Sequence, residues 1–258
     1  MSAELYQRFC ALHHQSEALL LPNAWDARSA AACTAAGFAA VGTSSAAMAD
    51  MLAYPDGEQL PFDTLLYLVS RLRAATPLPL TVDLEGGYSP DPRQVAEHLH
   101  ALLRLGVVGI NIEDSVPTAS GPRYLRPAAE MVALLHHLRA YCVEHQLAVF
   151  LNVRTDTYLL PIPDPLAATQ GRAAAYAAAG ADGLFVPGLT DLAAMRTLHQ
   201  HTALPLNVMA LPQLPSLPDL AAAGVRRVSM GNFLYEAASP LPLARRVAES
   251  ASLSPLFT

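Results

Sequence analysis

Residues 78–114 read LPLTVDLEGGYSPDPRQVAEHLHALLRLGVVGINIED. The stretch opens and closes on apolar runs, 78–83 and 107–113. Their Leu, Val and Ile are continuous rather than alternating, as in a strand buried on both faces of a parallel sheet. Between them lies an amphipathic segment, 92–105. Asp91 reads as its cap, Pro92 takes the first-turn position, and Leu105-Gly106 supplies the left-handed residue that ends it. Strand, helix, parallel strand is one βα unit and the start of the next.

The same pattern extends in both directions. Strand candidates lie at 18–22, 39–43, 78–83, 107–113, 148–154, 183–186, 204–208 and 227–230. Helix candidates lie at 26–36, 62–75, 92–105, 127–145, 165–179, 189–201 and 217–223. Pro127 and Pro165 stand like Pro92, and Gly37, Gly180 and Gly224 stand like Gly106. Eight βα units in about 230 residues, with no compositional break, predict a TIM-type (β/α)8 barrel as one domain over 1–258. A doubly wound open sheet is the alternative, weakened by the absence of GxGxxG after any strand. Residues 233–258, with Pro240, Pro242 and a helical stretch at 243–250, read as a C-terminal arm or the eighth outer helix.

The 258 residues are 52% hydrophobic and 15% charged, which excludes disorder. The net charge of −6, without a basic block, argues against nucleic acid. All 16 basic residues are Arg. A chain without Lys has no Schiff-base aldolase chemistry, no pyridoxal-phosphate attachment and no P-loop lysine. Cys10, Cys33 and Cys142 fall in helical stretches with no metal spacing, and read as small buried hydrophobes in a reducing, cytoplasmic setting. The polar start lacks a signal-peptide pattern, and no apolar run is long enough to span a membrane.

Active sites of such barrels gather at the C-terminal ends of the strands. Those ends read Asn23-Ala24-Trp25-Asp26, Gly42-Thr43-Ser44-Ser45, Asp83-Leu84-Glu85-Gly86-Gly87, Asn111-Ile112-Glu113-Asp114 and Asn152-Val153-Arg154-Thr155-Asp156. Asn207 stands near the end of the seventh strand and Asn232 after the eighth. Acidic oxygens without His or Cys suit a hard cation, with Mg²⁺ the default. Asp83, Glu85 and Glu113 are the candidate ligands. The alternatives stay open: the acids cap the next helices, Arg154 and Asp156 are only an ion pair, and Asp56 in Tyr54-Pro55-Asp56-Gly57 is only a turn. His98, His100, His136, His137 and His201 read as solvated positions on outer helices.

Taken in order, Pro22-Asn23-Ala24-Trp25-Asp26-Ala27, Thr43-Ser44-Ser45-Ala46-Ala47, Tyr54-Pro55-Asp56, Val82-Asp83-Leu84-Glu85-Gly86-Gly87-Tyr88, Gly109-Ile110-Asn111-Ile112-Glu113-Asp114 and Val153-Arg154-Thr155-Asp156 resemble the isocitrate lyase/phosphoenolpyruvate mutase superfamily over most of the chain. The resemblance implies a barrel that binds Mg²⁺, with Mn²⁺ as a substitute, and a 2-oxo acid. It assigns the metal to Asp83, Glu85 and Glu113, partly through water. It rests the substrate carboxylate on the turn matching Ser44 and Ser45 and puts Arg154 on the departing group; Thr43 and Asn207, at strand ends, are further candidate substrate contacts. It also implies a homodimer or homotetramer that exchanges the C-terminal helix.

Three departures refine the expectation. The usual Asp-x-Asp is Asp83-x-Glu85, and the usual Gly after the Ser is Ser45. Loop 115–126 carries none of the Cys, Lys or His that the lyase members place there, which argues against isocitrate or methylisocitrate cleavage. Its small middle, Thr118 to Gly121, predicts a lid in which Ser120 and Arg123 touch substrate, Arg123 being otherwise a solvated charge. Loss of CO₂ from an oxaloacetate-like acid needs only an electron sink at the keto oxygen. The expected activity is therefore a Mg²⁺-dependent decarboxylase or lyase, with catalytic roles for Asp56 and Arg154. The rivals are a carbon–phosphorus mutase or hydrolase, for which Asp56 is again a candidate, and a binding protein for 2-oxo acids that has lost catalysis.

Overall fold

The computed structural model describes residues 2–118 and 123–239. Eight parallel strands form its centre: β1 (Leu19–Leu21, resumed after Pro22 as Asn23–Ala24), β2 (Val41–Thr43), β3 (Leu80–Asp83), β4 (Gly109–Glu113), β5 (Phe150–Arg154), β6 (Gly183–Phe185), β7 (Leu206–Met209) and β8 (Val225–Ser229). Each pairs with the next in sequence. The ring closes on β1. Its first half pairs with β8, Leu19 opposite Arg227, and its second half pairs with β2, Asn23 opposite Gly42. The open doubly wound sheet is thereby excluded.

The helices are α1 (Ser2–Leu12), α2 (Ala27–Ala35), α3 (Ser45–Met51), α4 (Phe62–Ala75), α5 (Pro92–Arg104), α6 (Ala128–Glu144), α7 (Pro165–Ala178), α8 (Leu192–His201), α9 (Leu217–Ala222) and α10 (Phe233–Ala237). Asp91, Asp164 and Asp191 cap α5, α7 and α8, and Asp26 closes a capping box with Ser29 on α2. The expected glycines do end helices: Gly37, Gly106, Gly180 and Gly224 all take positive φ. Pro127 is the N-cap of α6 rather than its first helical residue. The expected stretch at 243–250 lies outside the described residues. No helix among the described residues is long and apolar enough to cross a membrane.

The main core lies between the ring and the outer helices, built from Leu, Val and Ile of both. A second cluster seals the end of the ring where strands begin. There α1 presses Phe9 against Phe150 at 5.5 Å between ring centroids, with Leu12, Leu19 and Leu21 around them. The start of the chain, polar on first reading, is thus a helix with one buried face. Cys33 and Cys142 are buried as expected, and Cys10 is half-buried.

His13 follows α1 into that seal. It is 1% exposed, stacks on Phe150 at 4.2 Å, and donates from Nδ1 to the Phe9 carbonyl at 2.8 Å. Burial, with the Arg227 charge facing it, pulls the imidazole down from 6.5 to about 3. A depressed histidine contributes stability above the unfolded value that is lost as pH falls toward the folded one. Between pH 7 and pH 5 the expected loss from this group is about 2 kcal/mol, at 1.36 kcal/mol per unit. Urea unfolding of His13→Phe should show that much less loss over the same interval. An unaltered pH dependence would remove His13 as its source.

Candidate active site

The strand ends surround a cavity of about 130 Å³. Asn23, Thr43, Ser44, Ser45, Asp56, Asp83, Asn111, Arg154, Phe185 and Ser229 contribute to its wall. Drug-sized ligands occupy pockets several times larger, so the space suits a molecule of a few heavy atoms. Thr43 fixes the β2–β3 junction, since its hydroxyl accepts the Asp83 amide at 2.8 Å. Asn23 ties the two sides of the ring closure, donating to the Thr43 carbonyl at 2.7 Å and accepting from the Met230 and Gly231 amides. Ser44 caps α3 through the Ala47 amide, and Ser45 donates to Asp83 Oδ2 at 2.8 Å.

Neither Asp83 nor Glu85 caps a helix; Asp91 does that for α5. Glu85 takes a left-handed φ of 50° at the turn after β3, and Gly87 follows at 111°. A Cβ on Gly87 would lie 2.7 Å from Val95 Cγ1, so both conformation and space demand glycine there. Glu85 is 4% exposed and accepts from the Glu58 amide at 2.9 Å and the Tyr88 hydroxyl at 2.9 Å. Burial, reinforced by Asp83 and Asp56, pushes its carboxyl up to about 8, against the Tyr88 hydrogen bond. His98 braces this turn: it bonds the Gly87 carbonyl at 2.9 Å and stacks on Phe62 at 3.8 Å. His100 meets the Tyr141 hydroxyl at 3.0 Å, and His137 is half-buried, so these three are not the solvated positions expected.

Glu113 departs furthest from expectation. It is 1% exposed and paired with two cations, Arg123 from the loop and Arg154 Nη1 at 3.1 Å. Arg154 also forks onto Asp156, with Nε at 2.6 Å and Nη2 at 3.1 Å. Arg154 is therefore ion-paired with Asp156, and it also borders the cavity. Arg123 is no free loop charge, since it also donates from Nε to Ser115 at 3.2 Å. Ser120 lies outside the described residues. Asp114 turns away from the cavity to Tyr176 at 2.8 Å and Arg172 at 2.9 Å. Asp56 sits exposed in its turn and also borders the cavity.

Asn207 does not border the cavity. It is completely buried, its Oδ1 accepting from Ser229 at 3.2 Å and its Nδ2 without a partner. The residue missed on first reading is Arg227, wholly buried within the ring and bonded to Ser229 and Asn111. Its sequence signal was a charge at an inward position of the continuous run VRRVS in β8.

Among the described residues, no group of three or more His, Cys, Asp and Glu side chains is arranged to hold a metal ion. The expected cage of Asp83, Glu85 and Glu113 is not formed, because Glu113 is neutralised by arginines and Glu85 is tied to Tyr88 and Glu58. Mg²⁺, however, is commonly held by one or two carboxylates, with water and substrate completing its shell. That mode fits here. Asp83 borders the cavity, and Asp83 and Asp56 both act against a charge on Glu85, a repulsion that a bound cation would relieve.

Removing Arg123 tests whether the loop performs chemistry. Arg123→Ala leaves Glu113 with Arg154 as its counter-ion. The apparent affinity for the 2-oxo acid expected from the sequence should change by at most about tenfold, roughly 1.4 kcal/mol, with any saturated rate largely intact. A loss of about a hundredfold in that rate would assign the loop a general acid or base role.

A family model described as phosphoenolpyruvate phosphomutase matches residues 9–251. An uncharacterized protein of Mycobacterium tuberculosis is 37% identical over 232 residues, covering 89% of this chain and 83% of its own. Oxaloacetate decarboxylase of Pseudomonas aeruginosa is 28% identical over 243 residues, covering 91% of this chain and 82% of its own. A crystal structure from Burkholderia cenocepacia, whose assignment as a phosphonomutase is provisional, superposes with a TM-score of 0.89 at 36% identity, covering 98% of this chain and all of that one.

Proposed function

The chain belongs to the phosphoenolpyruvate phosphomutase family, and on that premise we propose that it is a Mg²⁺-dependent lyase that decarboxylates a small, oxaloacetate-like 2-oxo acid. The observation that carries the reading is the pairing in one small cavity of a carboxylate, Asp83, with a guanidinium, Arg154. The likeness to oxaloacetate decarboxylases supports it. Asp83 would hold the metal, with Asp56 and Glu85 behind it, and the metal when bound supplies Lewis-acid stabilisation of negative charge on the keto oxygen.

The chain's own residues do the rest. Ser44 and Ser45 present the start of α3 to the C1 carboxylate. Arg154, locked by Asp156 and Glu113, orients the distal carboxylate so that the C3–C4 bond breaks. The bonding pair moves toward the carbonyl, CO₂ leaves, and water returns a proton to C3. No thiol or lysine is required, consistent with loop 115–126. The same reading carries a homodimer or homotetramer, which light scattering would test.

The test is turnover of oxaloacetate above the metal-only background, abolished by EDTA and restored by Mg²⁺ or Mn²⁺. Binding without turnover would make the chain a 2-oxo acid binding protein. The phosphonomutase neighbour favours a second reading, carbon–phosphorus chemistry on phosphonopyruvate, with Asp56 placed to handle the group that moves. Phosphorus NMR separates the two, since only that reading gives phosphate or phosphoenolpyruvate.

A further inference from the structure

Among the described residues, the bulkiest wholly buried side chain is a charged one, Arg227. It makes no ion pair with any described residue. An unpaired cation away from water is costly, so a fold that keeps one must supply strong acceptors or an anionic visitor. Arg227 has two acceptors. Nε donates to Ser229 Oγ at 3.1 Å and Nη2 to Asn111 Oδ1 at 3.2 Å, while Nη1 has no partner. Both acceptors border the cavity.

We propose that Arg227 is a positioning residue that makes the cavity floor a hydrogen-bond donor surface for a small carboxylate. Arginine can only donate, so the edge of Asn111 facing it must be the oxygen. That oxygen also receives Asn152 Nδ2 at 2.9 Å. The Asn111 amide NH₂ is then the edge left for the cavity. Ser229 accepts from Arg227 and spends its own hydrogen on Asn207 Oδ1, a buried residue that does not border the cavity. Arg227 thus collects acceptors below the floor and leaves the Asn111 NH₂ as the donor toward the cavity, backed by a buried positive charge. Such a floor suits a carboxylate or an enolate. The proposal rests on the decarboxylase reading only in taking that anion to be a 2-oxo acid.

The test compares parent, Arg227→Met and Arg227→Lys by thermal shift with oxalate, pyruvate and oxaloacetate in the presence of Mg²⁺, and by oxaloacetate kinetics. Replacing an unpaired buried charge with a side chain of similar length should leave the melting temperature unchanged or higher. The oxalate affinity of Arg227→Met should nonetheless fall at least about tenfold, and the oxaloacetate KM should rise by a similar factor. Arg227→Lys should lie between, since an ammonium cannot fork to both acceptors. A merely structural arginine gives the reverse: lower melting with affinity unchanged. Unchanged oxalate affinity in Arg227→Met overturns the proposal. Should that variant not fold, unchanged affinity in Arg227→Lys does so instead. A parent stabilised by none of the three anions overturns it as well. A parent that binds oxalate through Arg227 yet does not turn over oxaloacetate sinks only the decarboxylase reading.

Discussion

Asp83→Ala should abolish Mg²⁺-stimulated decarboxylation of oxaloacetate, lowering the saturated rate by on the order of 10²–10³-fold. That range corresponds to the several kcal/mol a Lewis acid contributes when negative charge develops on oxygen. The structure makes this carboxylate the informative one to remove. Glu113 is already balanced by Arg123 and Arg154, and Glu85 by Tyr88 and the Glu58 amide, whereas Asp83 borders the cavity and, among the described residues, only Ser45 donates to its side chain. Its loss removes one side-chain hydrogen bond, about 1 kcal/mol, so the variant should still fold. Rates measured after EDTA treatment across a Mg²⁺ titration, beside a melting curve, would decide the matter. If Asp83→Ala keeps the parent's metal response, the metal is not held at Asp83. Asp83→Asn should behave like the alanine variant, because an amide keeps the shape but loses the charge.

What could be read in the sequence follows from how local each signal is. Strands buried on both faces are marked by their own composition, and Gly106 or Asp91 marks a helix end within a few residues, so the ring was legible. The N-terminal helix was not. Its buried face is Phe9 and Leu12 among polar neighbours, and its partner, Phe150, lies far along the chain. At the site, the positions of Asp83, Arg154 and Ser45 follow from strand register. Their pairings do not, since Glu113 finds one counter-ion on the next strand and another across a loop. In the sequence Glu113 reads as a free ligand, because no local rule places a cation beside it. Arg227 was hidden for a related reason. A charge inside a buried strand has meaning only once the ring closes and brings Asn111 and Ser229 onto it.

Arg154→Lys should separate a residue that reads the substrate from one that only braces the wall. In the parent, the guanidinium is held by Asp156 through two nitrogens and by Glu113 through the third. Burial opposes its charge, but Asp156 and the other site carboxylates hold its pKa above the ordinary value, so it stays a cation throughout. Lysine keeps the charge and loses the planar fork, and cannot serve both carboxylates and a ligand at once. If Arg154 orients the distal carboxylate, oxaloacetate affinity should fall by roughly 10–100-fold, about 1.4–2.8 kcal/mol. Pyruvate has no distal carboxylate, so its affinity should change by less than about threefold. The stability cost of disturbing a buried pair falls equally on both ligands and appears in the melting temperature. The ratio of the two affinities is therefore the quantity to measure, by calorimetry at fixed Mg²⁺. Equal losses for oxaloacetate and pyruvate would show that Arg154 serves only Asp156 and Glu113. The distal carboxylate would then need another partner, and the donor-lined floor above Arg227 would be the place to look.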